Sequence, residues 1–239
     1  TLQVPLMLGV VPYLAGAICV ALMQEPPRVI GARGHLRYVE TISTALAALR
    51  DNPLVRYALL AQISIGTAMI ASILLMQPFL QQQGVSLAWF GALQTPATLA
   101  GALAAIGSAR AARALGIHRL AVCALGVTVG GLLVLATVDH AAAFAGFVAV
   151  QLALGFSGPA FSGYVNDRTA SNIRATIMSV VPLGTSLTFM LVGPFAGVVG
   201  DVSLRLAFGG MALAILIAAG LSLLAWRGAE RDAPLSATS

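Results

Sequence analysis

Nearly all the charge in this chain lies in gaps between long apolar runs. Seven such runs stand out, at 3–24, 55–80, 87–109, 119–138, 141–165, 175–199 and 204–226. Each reaches about 20 residues, the length of helix that crosses the ~30 Å hydrocarbon core of a bilayer. With 59% hydrophobic and only 9% charged residues, the chain is unlike a soluble domain. The sequence therefore predicts an all-α, polytopic membrane helical bundle with seven transmembrane helices.

The basic residues are all arginine, 13 in number, and along the chain the gaps that are rich in arginine alternate with gaps that have few or none. One side of the predicted helices holds Arg28, Arg33, Arg37, Arg50, Arg56, Arg110, Arg113, Arg119, Arg168, Arg174, Arg227 and Arg231. The other side holds only Arg205. Cytoplasmic loops carry the excess of positive charge in membrane proteins, so the arginine-rich side is predicted to be cytoplasmic, with the C-terminus on it. The formal charge of +5 is thus a topology signal and does not indicate nucleic-acid binding.

The gaps divide the chain into four predicted segments. These are a single transmembrane helix at 1–24, a cytoplasmic loop with an amphipathic surface helix at 25–53, a six-helix unit at 54–226 and a cytoplasmic tail at 227–239. In the loop, apolar residues recur at helical spacing from Leu36 to Leu49. The sequence D-N-P at 51–53 is predicted to cap and start the next helix.

The six spans of the 54–226 unit fall into three plus three, as in the inverted repeats of many transporters. The segment Q-I-S-I-G at 62–66 opens the first triplet, and Q-L-A-L-G at 151–155 lies early in the second. A five-residue match between apolar helices also arises by accident, so a true repeat and a chance match both stay open.

Several chemistries lack the residues that they need. The chain has no lysine for a P-loop or a Schiff base, and no acidic residue deep in a predicted span for a proton relay. His35, His118 and His140 lie in loops without metal-ligand spacing, so neither a metal nor a cofactor is predicted. Cys19 and Cys123 fall on different spans and are predicted to pack as small apolar residues.

One segment, G-F-S-G at 155–158, resembles the sequence around the nucleophile of rhomboid-type intramembrane proteases. That chemistry needs a histidine base on a later span, and no histidine follows His140. Small residues that pack closely explain the match better. The chain is therefore not predicted to be an enzyme.

Local motifs resemble the major facilitator superfamily of transporters. The segments G-S-A-R at 107–110 and G-I-H-R at 116–119 look like a copy of the family's Gly/Arg signature loop, although the family's Asp is absent. The segment N-D-R at 166–168, followed by R-A-T at 174–176, resembles the loop into the eleventh span of bacterial drug-efflux-like members. The segment G-P-F-A-G at 193–197 resembles the G-P-x-x-G of exporters, in the half-repeat counterpart of its usual span.

The resemblance covers essentially the whole chain and implies the C-terminal half of the major facilitator fold. The first predicted span would be the sixth of the parent, and the chain a fragment whose partner is a missing N-terminal half. The resemblance implies secondary active transport of a small molecule, of the efflux type, by alternating access. Arg110, Arg168 and Arg174 are then the gating candidates. A carboxylate for coupling to protons would lie in the missing half.

Polar residues recur on one face of several predicted spans. The candidates for lining a substrate cavity are Gln62, Met69, Gln77, Gln94, Thr98, Gln151, Ser162 and Asn166. A buried amide costs several kcal/mol in hydrocarbon unless it is hydrogen-bonded or wet, so these side chains are expected to face a watery cavity. A lining without fixed charge suits amphipathic or apolar substrates. The alternative role is interhelical hydrogen bonding, at about 0.6 kcal/mol per bond.

Small residues mark expected helix contacts. Gly126 and Gly130 form one G-x-x-x-G pair, and Gly193 and Gly197 form another, with Pro194 beside it. Small side chains let helix backbones approach closely inside a membrane. Both pairs are therefore predicted to lie at helix–helix contacts.

A rival interpretation is an intact seven-span protein of the receptor type, or a membrane assembly factor. Seven crossings from outside to inside are the receptor topology. The one-plus-six spacing of the spans and the absence of lysine count against it. Five further spans upstream in the full-length reading frame would decide for the transporter.

Overall fold

A computed structural model describes residues 3–23 and 38–232, and these residues contain helices but no strand. Residues 25–37 of the predicted 25–53 loop, including His35, and residues 233–239 of the predicted tail lie outside the described residues. The helices are α1 (Gln3–Leu22), α2 (Tyr38–Asp51), α3 (Pro53–Gln82), α4 (Phe90–Leu115), α5 (Ile117–Thr137), α6 (Ala145–Asp167), α7 (Arg174–Val202) and α8 (Leu204–Asp232), with short 3-10 turns at Leu87–Trp89 and Ala141–Phe144.

Six helices of the described residues, α3 to α8, are long and apolar enough to span a membrane. This confirms the all-helical class and agrees with a multi-pass membrane protein. The count of seven spans is not confirmed. The helix α1 has 20 residues and belongs to a separate compact unit, Thr1–Arg37, whereas α2 to α8 belong to the unit Tyr38–Ser239.

The ends of the helices follow from local sequence. Asn52 caps α3 as predicted, because its side-chain oxygen accepts a hydrogen bond from the Val55 N–H at 3.2 Å. Pro53 at the first position of α3 has no N–H to leave unpaired. Gly116 separates α4 from α5 with a φ of +78°, a backbone angle that glycine adopts without strain.

The six long helices pack in a definite pattern. The helix α6 lies against α4 and α5, α3 lies against α7 and α8, and the two groups meet where α5 contacts α8 and α3 contacts α6. The helices α4 and α7 flank the bundle. Only 17% of the most apolar stretch of α4 and 11% of that of α7 are buried, against 61% for α3. The uncovered surface of the bundle therefore lies mainly on α4 and α7.

Polar contacts at one end of the bundle join loops that the arginine count places on a common side. The Gln83 amide donates to one Asp139 carboxylate oxygen at 3.2 Å, and the Arg205 guanidinium donates to the other at 2.6 Å. The hydrogen bond from Gln83, together with the positive charge of Arg205, lowers the pKa of Asp139. Three helix ends, those of α3, α5 and α8, thus meet at the end that carries the lone arginine.

The opposite end is held by aromatic side chains. Trp226 of α8 is fully buried, donates from Nε1 to the Tyr164 hydroxyl of α6 at 3.2 Å, and contacts Phe161. The His118 ring at the start of α5 meets Trp226 edge-on with centroids 5.7 Å apart. The loops at the two ends of the bundle are therefore the arginine-poor loops at one end and the arginine-rich loops at the other, as the charge pattern predicts for six crossings.

The closest helix contacts occur where a glycine of one helix faces the backbone or a side chain of another. A Cβ built on Gly155 of α6 would overlap the Gly101 carbonyl oxygen of α4, and one on Gly131 of α5 would lie 2.7 Å from the Gly146 carbonyl oxygen of α6. In α3, a Cβ on Gly66 would lie 3.1 Å from the Thr185 hydroxyl of α7. A side chain at these positions would force the helices apart.

The close approaches do not fall at the predicted G-x-x-x-G pairs. A Cβ on Gly126, Gly130 or Gly197 would meet no atom of the described residues within 4 Å, and Gly193 meets only Phe189 of its own helix. Pro194 is exposed. The spacing of two glycines identifies a smooth stripe on a helix, but it does not say whether a neighbour covers that stripe.

We predict that Gly155→Ala destabilises the protein by about 1–3 kcal/mol, because the added methyl group must displace the α4 backbone. Gly126→Ala adds the same methyl group in open space and is the matched control. It should be neutral, or stabilise by about 0.5–1 kcal/mol through its helix propensity. Reversible unfolding in detergent measures both. Equal stability of the two variants would contradict the close α4–α6 contact.

Candidate functional site

The predicted cavity residues of α3 differ in how far they are exposed. Gln62 is only 9% exposed, Met69 is half-buried and Gln77 is exposed. Between Gln62 and Met69, Gly66 packs against Thr185 of α7. The face that the helical spacing selects is therefore partly covered by α7, and the glycine on it serves close packing while the amides flank the contact.

On α6 the candidate residues also lie beside a close helix contact. Gln151, Ser162 and Asn166 are half-buried. Gly155, one turn after Gln151, forms the close contact with Gly101 of α4. The polar residues of α6 thus lie beside the α4–α6 contact and remain partly open.

On α4, the two predicted residues interact within the helix. The Gln94 amide donates to the Thr98 hydroxyl at 3.3 Å. Gln94 is half-buried and Thr98 is exposed. Neither side chain bridges to a neighbouring helix among the described residues.

The structure bears on whether the amides hold helices together. Gln62, Gln77 and Gln151 make no side-chain hydrogen bond within 3–23 and 38–232, so the interhelical bonding considered as an alternative is not seen there. Besides the Trp226–Tyr164 bond, a hydrogen bond crosses between helices at Ser108 of α4, which is fully buried and donates to the Phe156 carbonyl oxygen of α6 at 2.5 Å.

Ser108 was not among the predicted packing residues, although it lies in the G-S-A-R segment quoted for the family resemblance. The sequence offers one signal for this role, a small hydroxyl residue directly after Gly107. In the structure, a Cβ built on Gly107 would lie 3.3 Å from the Phe156 ring. Ser157, the serine of the protease-like G-F-S-G segment, is also fully buried and donates to the Ala153 carbonyl oxygen of its own helix at 2.7 Å. The Ser157 hydroxyl is therefore paired within α6 and is not exposed at the surface of the described residues.

The three gating candidates have different surroundings. Arg110 is exposed. Arg168 is exposed too, and its guanidinium stacks 3.8 Å from the centroid of the Tyr164 ring. Arg174 is half-buried and donates from Nη2 to the Thr169 carbonyl oxygen at 3.3 Å, while its buried Nε has no partner in the described part of the chain. Arg174 therefore braces the α6–α7 loop and keeps donor capacity unused.

Neither cysteine forms a disulfide. Cys19 and Cys123 are both free thiols on the surface of their helices. The described residues hold no cluster of histidine, cysteine, aspartate or glutamate that could bind a metal ion.

Comparisons with known proteins do not add a relative to this description: no model of a protein family matches the chain, and no curated protein is significantly similar to it.

We predict that Gln62→Leu leaves the free energy of unfolding unchanged or raises it, because the Gln62 amide has no bond to lose. Ser108→Ala is the comparison, since it removes a hydroxyl that does cross between helices, and it should cost about 0.6–1.7 kcal/mol. Both values come from reversible unfolding in detergent. If Gln62→Leu lowers the free energy of unfolding as much as Ser108→Ala does, the Gln62 amide does form a hydrogen bond between helices.

Proposed function

We propose that this chain forms one half of a secondary active transporter of the major facilitator type. In this proposal α3 to α8 make a six-helix half, and a second half, the N-terminal half of the parent protein, covers α4 and α7. The protein exports a small molecule across the bacterial inner membrane by alternating access, with the C-terminus of this chain in the cytoplasm. No catalytic step is involved.

The observation that carries the proposal is the symmetry of the helix contacts. Exchanging α3 with α6, α4 with α7 and α5 with α8 converts the α4–α6 contact into the α3–α7 contact, and the α5–α6 contact into the α3–α8 contact. The α3–α6 and α5–α8 contacts are unchanged by the exchange. Two triplets that cross the membrane in opposite directions give this pattern, which is the inverted repeat common in transporters.

The two similar segments at 62–66 and 151–155 support the same exchange. Gly66 ends the first segment and packs against α7, and Gly155 ends the second and packs against α4. The exchange converts one contact into the other. Matching sequence at matching contacts favours a repeat over an accidental resemblance.

The unpaired amides, together with the apolar surface left uncovered on α4 and α7, support a substrate path. Gln62, Gln77 and Gln151 need water, substrate or another protein surface if they lie at membrane depth. They lie on α3 and α6, next to the helices with the most uncovered apolar surface. A cavity between two halves would supply that environment. Amides, methionine and aliphatic side chains without a fixed charge suit an amphipathic or apolar substrate.

The gating role proposed for Arg174 is consistent with its half-buried position and unused Nε. A carboxylate or a helix C-terminus of the second half would provide a partner for this donor. Arg168 stacks on Tyr164, and Arg110 is exposed at the same end of the bundle. Arg110 and Arg168 are proposed to assist the gate through the same charge pairing.

We predict that Arg174→Lys and Arg174→Ala both reduce transport by the full-length protein at unchanged membrane abundance. Lysine keeps the charge but loses the planar, multiple-donor geometry of the guanidinium. Arg231→Ala, at the same end and exposed, is the control and should transport normally. Full activity of Arg174→Lys would rule out gating and leave Arg174 as a brace for the α6–α7 loop.

The function is tested with the full-length protein in proteoliposomes. An amphipathic fluorescent dye should move against its concentration gradient, with saturable kinetics, when a proton gradient or a membrane potential is imposed. Residues 1–239 alone should not transport, because a cavity between two halves would have only one wall. Saturable transport by residues 1–239 alone, or none by the full-length protein across a panel of cationic and neutral dyes, would refute the proposal.

A further inference from the structure

A groove runs between the start of α5 and the end of α8, and none of the candidate cavity residues lines it. It has a volume of about 750 Å³. Its charged and polar walls come from His118 and Arg119 of α5 and from Arg227 and Glu230 of α8. Its apolar walls include Val122, which is exposed. Neither the transport proposal nor the gating arginines make use of this groove.

We propose that this groove binds the phosphate group of an anionic phospholipid from the leaflet that meets this end of the bundle. The two guanidiniums supply the charge. Arg119 and Arg227 are exposed and make no ion pair or hydrogen bond within the described part of the chain. Two free arginines facing one groove match the planar oxygens of a phosphodiester.

Groups of α5 add to the same site. The helix begins at Ile117 after Gly116, and no side chain caps its first N–H groups. Unpaired N–H groups and the helix dipole both favour an anion at this end. His118 also lines the groove, and its buried Nδ1 has no partner among the described residues.

The position favours a lipid over a soluble anion. The arginines lie at the end of two membrane-spanning helices, and below them the wall continues as Val122 and Cys123 toward the middle of α5. A lipid can place its phosphate on the arginines and an acyl chain along this apolar wall, whereas a free phosphate uses only the first part. Basic pockets between helices at the cytoplasmic face bind anionic headgroups in this way.

Glu230 places a negative charge in the groove, which should weaken the binding of an anion. It lies in the same groove as the two arginines and pairs with neither of them. Removal of its charge should strengthen the binding of an anion. An opposite response would be expected if the groove recognised the amine of a zwitterionic headgroup.

Cys123 lines the groove and is exposed, so it can report occupancy. The full-length protein, with Cys123 as its single cysteine, is purified in detergent and its rate of maleimide labelling is measured. Phosphatidylglycerol should slow the labelling, and phosphatidylcholine or inorganic phosphate should not. Each of Arg119→Gln and Arg227→Gln should weaken the phosphatidylglycerol protection about fivefold, and Glu230→Gln should strengthen it.

Arg231→Gln is the matched control, because it removes an equal charge from the end of α8 outside the groove. It should leave the protection unchanged. An equal loss with Arg231→Gln would mean general attraction to a basic surface and would overturn the site. Equal protection by inorganic phosphate or by phosphatidylcholine would also overturn the assignment, the first in favour of a soluble anion and the second in favour of acyl-chain contact alone.

Discussion

Close contact between helix backbones, at positions where the chain carries glycine, is the interaction on which the bundle depends. Inside a membrane there is little hydrophobic force to press helices together, so packing and short hydrogen bonds must do so. The α4–α6 pair illustrates this. Gly101 and Gly155 bring the two backbones together, and the Ser108 hydroxyl then reaches the Phe156 carbonyl oxygen of the facing helix at 2.5 Å.

The same contacts decide which polar groups remain unpaired. Once Gly66 and Gly155 are used for packing, the amides one turn before them lie at the edges of the contacts, without hydrogen-bond partners in the described residues. Such groups are costly in hydrocarbon. The small residues and the amides therefore act together in our account: close packing joins the two triplets and leaves polar groups for a cavity. The groove lined by Arg119 and Arg227, which we propose binds a lipid phosphate, does not involve these contacts.

The sequence predicted the helices well and their contacts poorly. The apolar run at 55–80 corresponds to α3, Pro53–Gln82, and the Asn52 cap was foreseen because capping chemistry is local. The G-x-x-x-G pair at Gly126 and Gly130 does not mark a close contact, since the glycines that bring the α5 and α6 backbones together are Gly131 and Gly146. Helical periodicity identifies a face, but only the tertiary arrangement determines which neighbour covers it.

The central claim is that the polar face of α3 borders a water-filled cavity between two halves. Accessibility at mid-membrane depth tests it most directly. Met69 lies near the middle of α3, and Leu216, which is exposed near the middle of α8, is the matched lipid-facing position. A cysteine replaces each residue in an otherwise cysteine-free full-length protein, and a hydrophilic thiol reagent is applied to membranes. The account predicts labelling at position 69, altered by substrate, and none at 216. No labelling at position 69 under any condition would contradict it.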